Sequence, residues 1–135
     1  MKKYIVIALL GLTGLVQAQE ALFSGQQVSS PQVNDDKTVT FRLSAPQADT
    51  VQVTGDFLPS VKVDTPMGKV DGPGKALLIK NEEGVWTYTT SVLAPELYNY
   101  AFIVDGFKTT DPANPFLIRD VASVTNIFIV PGEQA

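Results

Sequence analysis

The sequence predicts an all-β domain built as a sandwich of about seven or eight strands. Val, Ile and Thr, which favour strands, are abundant, and short segments alternate apolar and polar residues. Turn-forming residues separate these segments at intervals of roughly 8–12 residues, as in a sandwich of two antiparallel sheets. No segment carries a helical apolar stripe over three turns. Together these features describe an immunoglobulin-like β-sandwich.

Two alternating segments open the predicted sandwich. Residues 38–44 place three apolar side chains on one face and polar side chains on the other. Pro46 ends this strand because proline cannot donate to a ladder. Residues 50–54 alternate in the same way and are closed by a Gly-Asp pair.

Three later segments complete the clear strands. Residues 85–90 follow an Asn-Glu-Glu-Gly turn, residues 97–104 end at an Asp-Gly pair, and residues 124–130 stop at Pro131. Each segment is rich in aromatic and β-branched residues, which pack well on a pleated sheet.

The remaining segments are less regular. Residues 21–31 could supply a leading edge strand, and residues 111–115 form a tight polar turn fixed by two prolines. Residues 58–80 are too long for a plain loop in a compact domain. We therefore expect at least one further strand there, around the apolar run 76–79.

Composition excludes several classes of chemistry. The 135 residues include no Cys and no His, so a disulfide framework, a Cys or His zinc site, a thiol nucleophile and a Ser-His-Asp triad are excluded. We expect no metal and no cofactor. The net charge of −4 argues against nucleic-acid binding and against an anionic membrane surface.

The N-terminus has the features of a secretory signal peptide. Lys2 and Lys3 precede an apolar run over residues 4–16, and small residues follow at 16–18. The run is too short for a transmembrane anchor. We expect residues 1–18 to be a signal peptide, 19–130 the binding module and 131–135 the start of a linker, in a periplasmic or secreted protein.

Five motifs follow one another along the chain. They are Val51-Gln52-Val53-Thr54-Gly55-Asp56-Phe57, Gly84-Val85-Trp86, Tyr98 to Gly106, Asp111-Pro112-Ala113-Asn114-Pro115 and Thr125-Asn126-Ile127. Their order and spacing resemble those of carbohydrate-binding module family 48. That resemblance implies an early-set, immunoglobulin-like sandwich and glycan binding. The family's fold is shared with the N-terminal domains of isoamylases and glycogen-branching enzymes and with the glycogen-binding domain of the AMP-activated kinase β subunit.

Further segments extend a resemblance over nearly the whole chain after residue 18. They are Ala21 to Val28 with Ser30-Pro31, Gly55 to Pro59, Asp71 to Gly74, Leu93 to Tyr98 and Ile118 to Asp120. These segments resemble the N-terminal module of secreted Bacteroidota esterases, which precedes a carbohydrate esterase family 1 domain acting on feruloyl or acetyl xylan. This resemblance implies a C-terminal esterase domain as partner. The chain itself has no Gly-x-Ser-x-Gly elbow, so we expect no enzyme activity from it.

The family's glycan site is altered in this sequence. Glycogen-binding relatives use two tryptophans and a lysine; no Trp follows Phe57 here, Phe107-Lys108 stands where the second Trp would be, and Ala101 replaces the lysine. Ser123, Thr125 and Asn126 occupy the region of the relatives' hydroxyl and amide. These departures favour a β-linked hemicellulose such as xylan over starch or glycogen.

Strand parity refines the candidate site. Tyr98 and Tyr100 share parity with apolar neighbours and are expected in the core, so Asn99 and Ala101 face outward. Phe107 and Lys108 are the best candidates for an exposed stacking platform and a hydrogen-bond donor. A mid-strand Trp more often fills a sandwich core. The candidate carbohydrate-binding residues are Phe107, Lys108, Asn99, Ala101, Thr125, Asn126 and Trp86.

Four carboxylates lie beside turns. Asp56, Asp105, Asp111 and Asp120 each adjoin a Gly, a Pro or a turn, where Asp usually accepts hydrogen bonds from nearby backbone N–H groups. A facing pair of the kind a glycosidase needs is disfavoured, since short turns on a sandwich rarely converge.

The sequence therefore predicts a secreted carbohydrate-binding module. Its polysaccharide partner would be xylan or arabinoxylan, to which it would target an attached esterase. Two alternatives stay open: a domain that stabilises the esterase without binding glycan, and a module that binds starch or glycogen.

Overall fold

The structure, a computed structural model, describes residues 27–133, which form twelve strands and contain no helix able to cross a membrane. The predicted signal peptide and residues 21–26 of the predicted leading strand lie outside the described residues. The strands are β1 Gln32–Val33, β2 Val39–Ser44, β3 Val51–Gly55, β4 Val61–Thr65, β5 Gly68–Gly72, β6 Gly74–Leu77, β7 Ile79–Lys80, β8 Val85–Thr89, β9 Leu97–Val104, β10 Phe107–Thr109, β11 Leu117–Arg119 and β12 Val124–Ile129.

Two antiparallel sheets form the predicted sandwich. One has four strands in the order β1-β2-β8-β7, and the other runs β11-β12-β9-β3-β6 with β10 also paired to β9. The five clear strands of the sequence are confirmed as β2, β3, β8, β9 and β12. The strand count exceeds the predicted seven or eight because residues 58–80 hold four short strands and because β1, β10 and β11 are only two or three residues long.

Aromatic side chains fill the space between the sheets. Phe41 of β2 stacks on Phe57, which follows β3, with ring centroids 5.2 Å apart, and it contacts Tyr100 at 4.7 Å. Phe128 of β12 lies 5.4 Å from the ring of Tyr98. Such ring pairs contribute about 0.5–1.5 kcal/mol each beyond the area they bury. The inward parity of Tyr98 and Tyr100 is confirmed.

β9 is the central strand of the larger sheet. β3 pairs along one of its edges, and β12 and β10 share the other. Its inward residues are buried, so its outward residues, Asn99, Ala101 and Ile103, lie in the middle of the outer face. This arrangement sets where a surface site can form.

One hairpin belongs to neither sheet. β4 and β5 pair only with each other among the described residues. The chain enters the hairpin from the end of β3 and returns from it into β6, which pairs with β3.

Candidate functional site

A depression with several polar side chains in its lining lies on the outer face of the six-stranded sheet. It has a volume of about 280 Å³, near the small end of ligand pockets. We call it the outer-face depression. Its walls come from β3, β9, β10, β12 and the two ends of the hairpin segment. The residues that line it are Thr54, Gly55, Asp56, Leu58, Ser60, Pro73, Gly74, Asn99, Tyr100, Ala101, Lys108 and Thr125.

Small residues form its floor. Thr54 and Ala101 are directly paired between β3 and β9, and both are nearly fully buried. The Thr54 hydroxyl donates to the Gly74 carbonyl at 2.9 Å, which ties β3 to β6 below the depression. A Cβ on Gly74 would clash with the Pro59 carbonyl and with Leu58, so glycine is required for the chain to cross there.

Asp56 and Asn99 form one wall. The Asp56 Oδ1 atom accepts a hydrogen bond from the Asn99 backbone N–H at 3.1 Å, and the Asp56 N–H donates to the Asn99 carbonyl. These bonds hold the carboxylate beside the central strand after β3 has ended. The Asn99 side chain is exposed beside it, so an acceptor and an amide face the same space.

Lys108 and Thr125 form the opposite wall. Lys108 pairs with Ile103 and therefore faces outward with Asn99 and Ala101. Its ammonium makes no ion pair with a described residue. Hydrogen bonds from Ala122 and Ser123 lower the pKa of Asp120, and the charge of Lys108 adds a smaller lowering effect. Lys108 thus keeps its donors for a ligand.

Four of the seven predicted site residues meet in this depression. Asn99, Ala101, Lys108 and Thr125 all line it. Phe107 is 79% exposed but pairs with Val104, whose parity is opposite to that of Ile103. Adjacent strand residues point to opposite faces, so Phe107 does not share the face of Lys108 as a joint platform requires.

The other two predicted residues are buried. The Trp86 ring lies in the core and its Nε1 donates to the Ala45 carbonyl at 2.9 Å, which confirms the core interpretation. Asn126, predicted near the glycan, has no exposed surface. It pairs with Tyr100 and has inward parity, so only its neighbour Thr125 reaches the outer face.

Asn126 instead holds the loop between β10 and β11. Its Oδ1 accepts from the Asp111 N–H at 2.6 Å, and its Nδ2 donates to the Asn114 carbonyl at 3.0 Å. The sequence interpretation missed this function. An Asp, an Asn and two prolines in one turn were the signal available for it.

Asp111 is buried in the same loop. The Tyr100 hydroxyl donates to its Oδ2 at 2.8 Å, and the Ala113 N–H donates to its Oδ1 at 2.9 Å. Burial raises the pKa of Asp111 against the lowering effect of hydrogen bonds from Ser30, Tyr100 and Ala113. Burial also raises the pKa of Tyr100 far above its usual value. This pair is an internal clamp: Asp111 does not line the depression, and Tyr100, which lines its base, is 1% exposed.

All four turn carboxylates accept backbone hydrogen bonds; Asp111 and Asp120 bond within their own turns as predicted, whereas Asp56 and Asp105 bond to distant segments. Asp105 Oδ1 accepts from the N–H groups of Asp49 and Thr50, both at 2.8 Å. Asp120 Oδ1 accepts from two residues of its own turn at 2.7 and 2.8 Å. Within residues 27–133 no three acidic side chains are grouped to hold a metal ion.

A second, larger groove is apolar. Its volume is about 480 Å³, and it lies on the flank between β1 and the β11–β12 edge. Two polar side chains line it, and both are engaged: Ser30 accepts from the Arg42 N–H, and Asn114 bonds to Tyr100, Ile127 and Phe116. The groove therefore offers few groups for sugar hydroxyls, in contrast to the outer-face depression.

Solved structures give the comparisons for this chain. No protein-family model matches it, and no curated protein matches it. One similar structure is the product complex of SpuA, a multi-modular glycogen-degrading pneumococcal virulence factor, with 22% identity and a TM-score of 0.49 over 75% of this chain and 11% of that one. The SpuA catalytic module in complex with an inhibitor gives 20% identity and a TM-score of 0.49 over 84% and 18%. Apo pullulanase from Paenibacillus barengoltzii gives 21% and 0.42 over 71% and 14%.

The chain spans 11–18% of the length of these enzymes. All three TM-scores are below 0.5, so the fold assignment here rests on the strand pairing described above.

The depression combines hydrogen-bond donors and acceptors on the outer face of the sheet. The Lys108 ammonium and Asn99 amide donate, the Asp56 carboxylate accepts, and the hydroxyls of Ser60 and Thr125 do both. Such a set suits a neutral ligand with neighbouring hydroxyl groups.

Proposed function

We propose that the chain is a carbohydrate-binding module that holds part of a glycan chain in the outer-face depression. The observation that carries this proposal is the convergence of Asn99, Lys108 and Thr125 around the buried floor at Ala101. These positions match the sugar-binding region of the family that the motif order resembles.

The ligand proposed first is an α-glucan of the starch or glycogen type. The ordered motifs resemble glycogen-binding modules, and SpuA is named as glycogen-degrading. Xylan is the competing ligand, since the family's tryptophans are missing at both of their positions. We also propose that residues 1–18 direct export and that the module belongs to a glycan-active hydrolase, with an esterase as one form of it.

Affinity electrophoresis and calorimetry with glycogen, a linear maltooligosaccharide, xylan and arabinoxylan test the proposal. We expect Lys108→Gln to weaken glycan binding about tenfold, because a charged donor to a hydroxyl is lost. Lys80→Gln is the matched control, since it makes the same charge change on β7 of the other sheet. Its affinity should stay at the wild-type value.

The results of these measurements distinguish the α-glucan from xylan as the ligand, and they also test whether the chain binds glycan. Preference for glycogen supports the α-glucan, and preference for xylan replaces it with the hemicellulose. Absence of binding to all four glycans contradicts the binding role.

A structural module is the second candidate, because apolar side chains are exposed next to the apolar groove. Phe116 and Ile129 are 67% and 55% exposed. That role predicts a higher Tm of an attached domain in the presence of the module, with no retardation by glycan.

A further inference from the structure

The β4–β5 hairpin has two chemically different faces. Its register pairs Lys62 with Asp71 and Asp64 with Lys69 on one face. Both pairs form salt bridges, at 2.6 and 2.8 Å. The charges of that face cancel, so it attracts neither an anion nor a cation strongly.

The opposite face is apolar and exposed. Val63 pairs with Val70, and Val61 lies in the same row; their exposed fractions are 43%, 46% and 43%. Met67 is 97% exposed in the connecting turn. No described strand outside the hairpin pairs with either of its strands, so none of the described sheets covers this row of valines.

The hairpin begins and ends at the rim of the outer-face depression. Ser60 and Pro73 line the depression, and they are the residues directly before and after the hairpin. The Val63 methyl group lies against Gly72, the last hairpin residue, where a Cβ would clash with it. The apolar row therefore starts beside the outer-face depression.

We propose that the apolar face of the hairpin is a second contact surface for the same glycan, packing on the C–H faces of sugar units that extend beyond the depression. This inference rests on the proposed function and deepens it. The depression is small, so it holds only a short part of a chain. Each hairpin strand is roughly 17 Å long, which exceeds one sugar unit, and the valines extend the apolar surface beyond the depression.

The test compares long and short chains of the glycan that the wild-type protein binds. The variant Val63→Thr/Val70→Thr keeps side-chain shape and strand preference but replaces one exposed methyl group at each site with a hydroxyl. We expect it to bind the long chain about tenfold more weakly. Affinity for a disaccharide or trisaccharide should not change, because a short ligand fills only the depression.

The matched control is Lys62→Thr/Asp71→Thr. It alters a neighbouring cross-strand pair on the charged face and leaves the net charge unchanged. We expect wild-type affinity for both chain lengths. Far-UV circular dichroism of both variants checks that the hairpin and sandwich remain folded, and amide exchange in residues 61–72 should slow when the long chain is added and not when the short one is.

Each contrary result has a distinct meaning. Equal long-chain affinity of wild type and the valine variant overturns the inference while the depression remains a site. Equal weakening by both variants assigns the effect to hairpin integrity and also overturns it. If the wild-type protein and the charged-face control sediment as dimers and the valine variant sediments as a monomer, the apolar face binds a second copy of the chain. That result overturns the inference. A wild-type protein that binds no glycan removes the proposed function and this inference together.

Discussion

Asn126 shows how one side chain can stabilise a loop from inside the sandwich. Its amide accepts from the Asp111 N–H and donates to the Asn114 carbonyl, with longer contacts to the carbonyls of Asp111 and Phe116. The residue has no solvent exposure. Removal of the amide would leave these buried backbone groups without partners, and that is more costly than the loss of an average hydrogen bond.

Asn126→Ala should lower the free energy of unfolding by about 2–4 kcal/mol. Urea denaturation monitored by Trp86 fluorescence measures this change. Thr125→Ala is the control, because the half-buried Thr125 makes no comparable network; its free energy of unfolding should change by less than about 1 kcal/mol. Equal effects of the two substitutions would contradict the role of Asn126 in stabilising the loop.

The same two neighbours separate stability from binding. Thr125 lines the outer-face depression and Asn126 faces inward. The sequence placed both near the glycan because they adjoin in the last strand. Strand alternation places the two side chains on opposite faces of the sheet. The register with β9 then shows which of them faces inward.

The β4–β5 hairpin and β9 differ most among the strands in pairing and in burial. β9 has neighbours along both edges and buried residues on its inner face. The hairpin pairs only with itself among residues 27–133, and its residues are largely exposed. An isolated two-stranded hairpin is marginal in water, and exposed ion pairs add little to its stability.

Amide hydrogen exchange should reflect this difference. We expect residues 61–72 to exchange faster than residues 98–102 by at least about a hundredfold, because the hairpin opens locally whereas β9 opens only with the sheet. Mass spectrometry of peptides from the two segments measures the rates. Similar protection of both segments would show that another part of the chain covers the hairpin.

The segment 58–80 shows what local pattern could and could not establish. Its length predicted at least one extra strand, and the structure contains four there. The pattern did not distinguish a separate hairpin from sandwich strands, because Val61, Val63 and Val70 alternate with charged residues as half-buried strands also do. Their pairing partners made that distinction.

At the scale of the whole molecule, carboxylates with opposite pKa shifts set the pH dependence of stability. Burial raises the pKa of Asp111, so the folded state binds its proton more tightly than the unfolded state and stability falls as pH rises above the ordinary value of 3.8. Hydrogen bonds lower the pKa of Asp36 and Asp120. Their contribution is present above the ordinary value and is lost as pH falls below it.

Asp111→Asn should therefore remove the loss of stability that Asp111 causes as pH rises above about 4. We expect the free energy of unfolding of this variant, relative to wild type, to increase as pH rises from about 4 through the titration of Asp111. Urea denaturation at a series of pH values measures it. Asp36→Asn, the control, should change only the acid side, and parallel curves for Asp111→Asn and wild type would contradict the assignment.

The sequence by itself determined the sandwich, the five principal strands and the inward parity of Tyr98 and Tyr100. Alternation and turn residues act locally, so one chain reveals them. The sequence also indicated Asn99, Ala101, Lys108 and Thr125 as candidate binding residues, through the family resemblance and through strand parity.

Only the tertiary structure decided which of these side chains meet and what surrounds them. Cross-strand register places residues from β3, β9, β10 and β12 in one depression, separates Phe107 from Lys108 and buries Asn126 and Trp86. The reason is physical: a shift of one residue in register moves a side chain to the other face of the sheet, and pairing between distant segments, which no local pattern specifies, fixes that register.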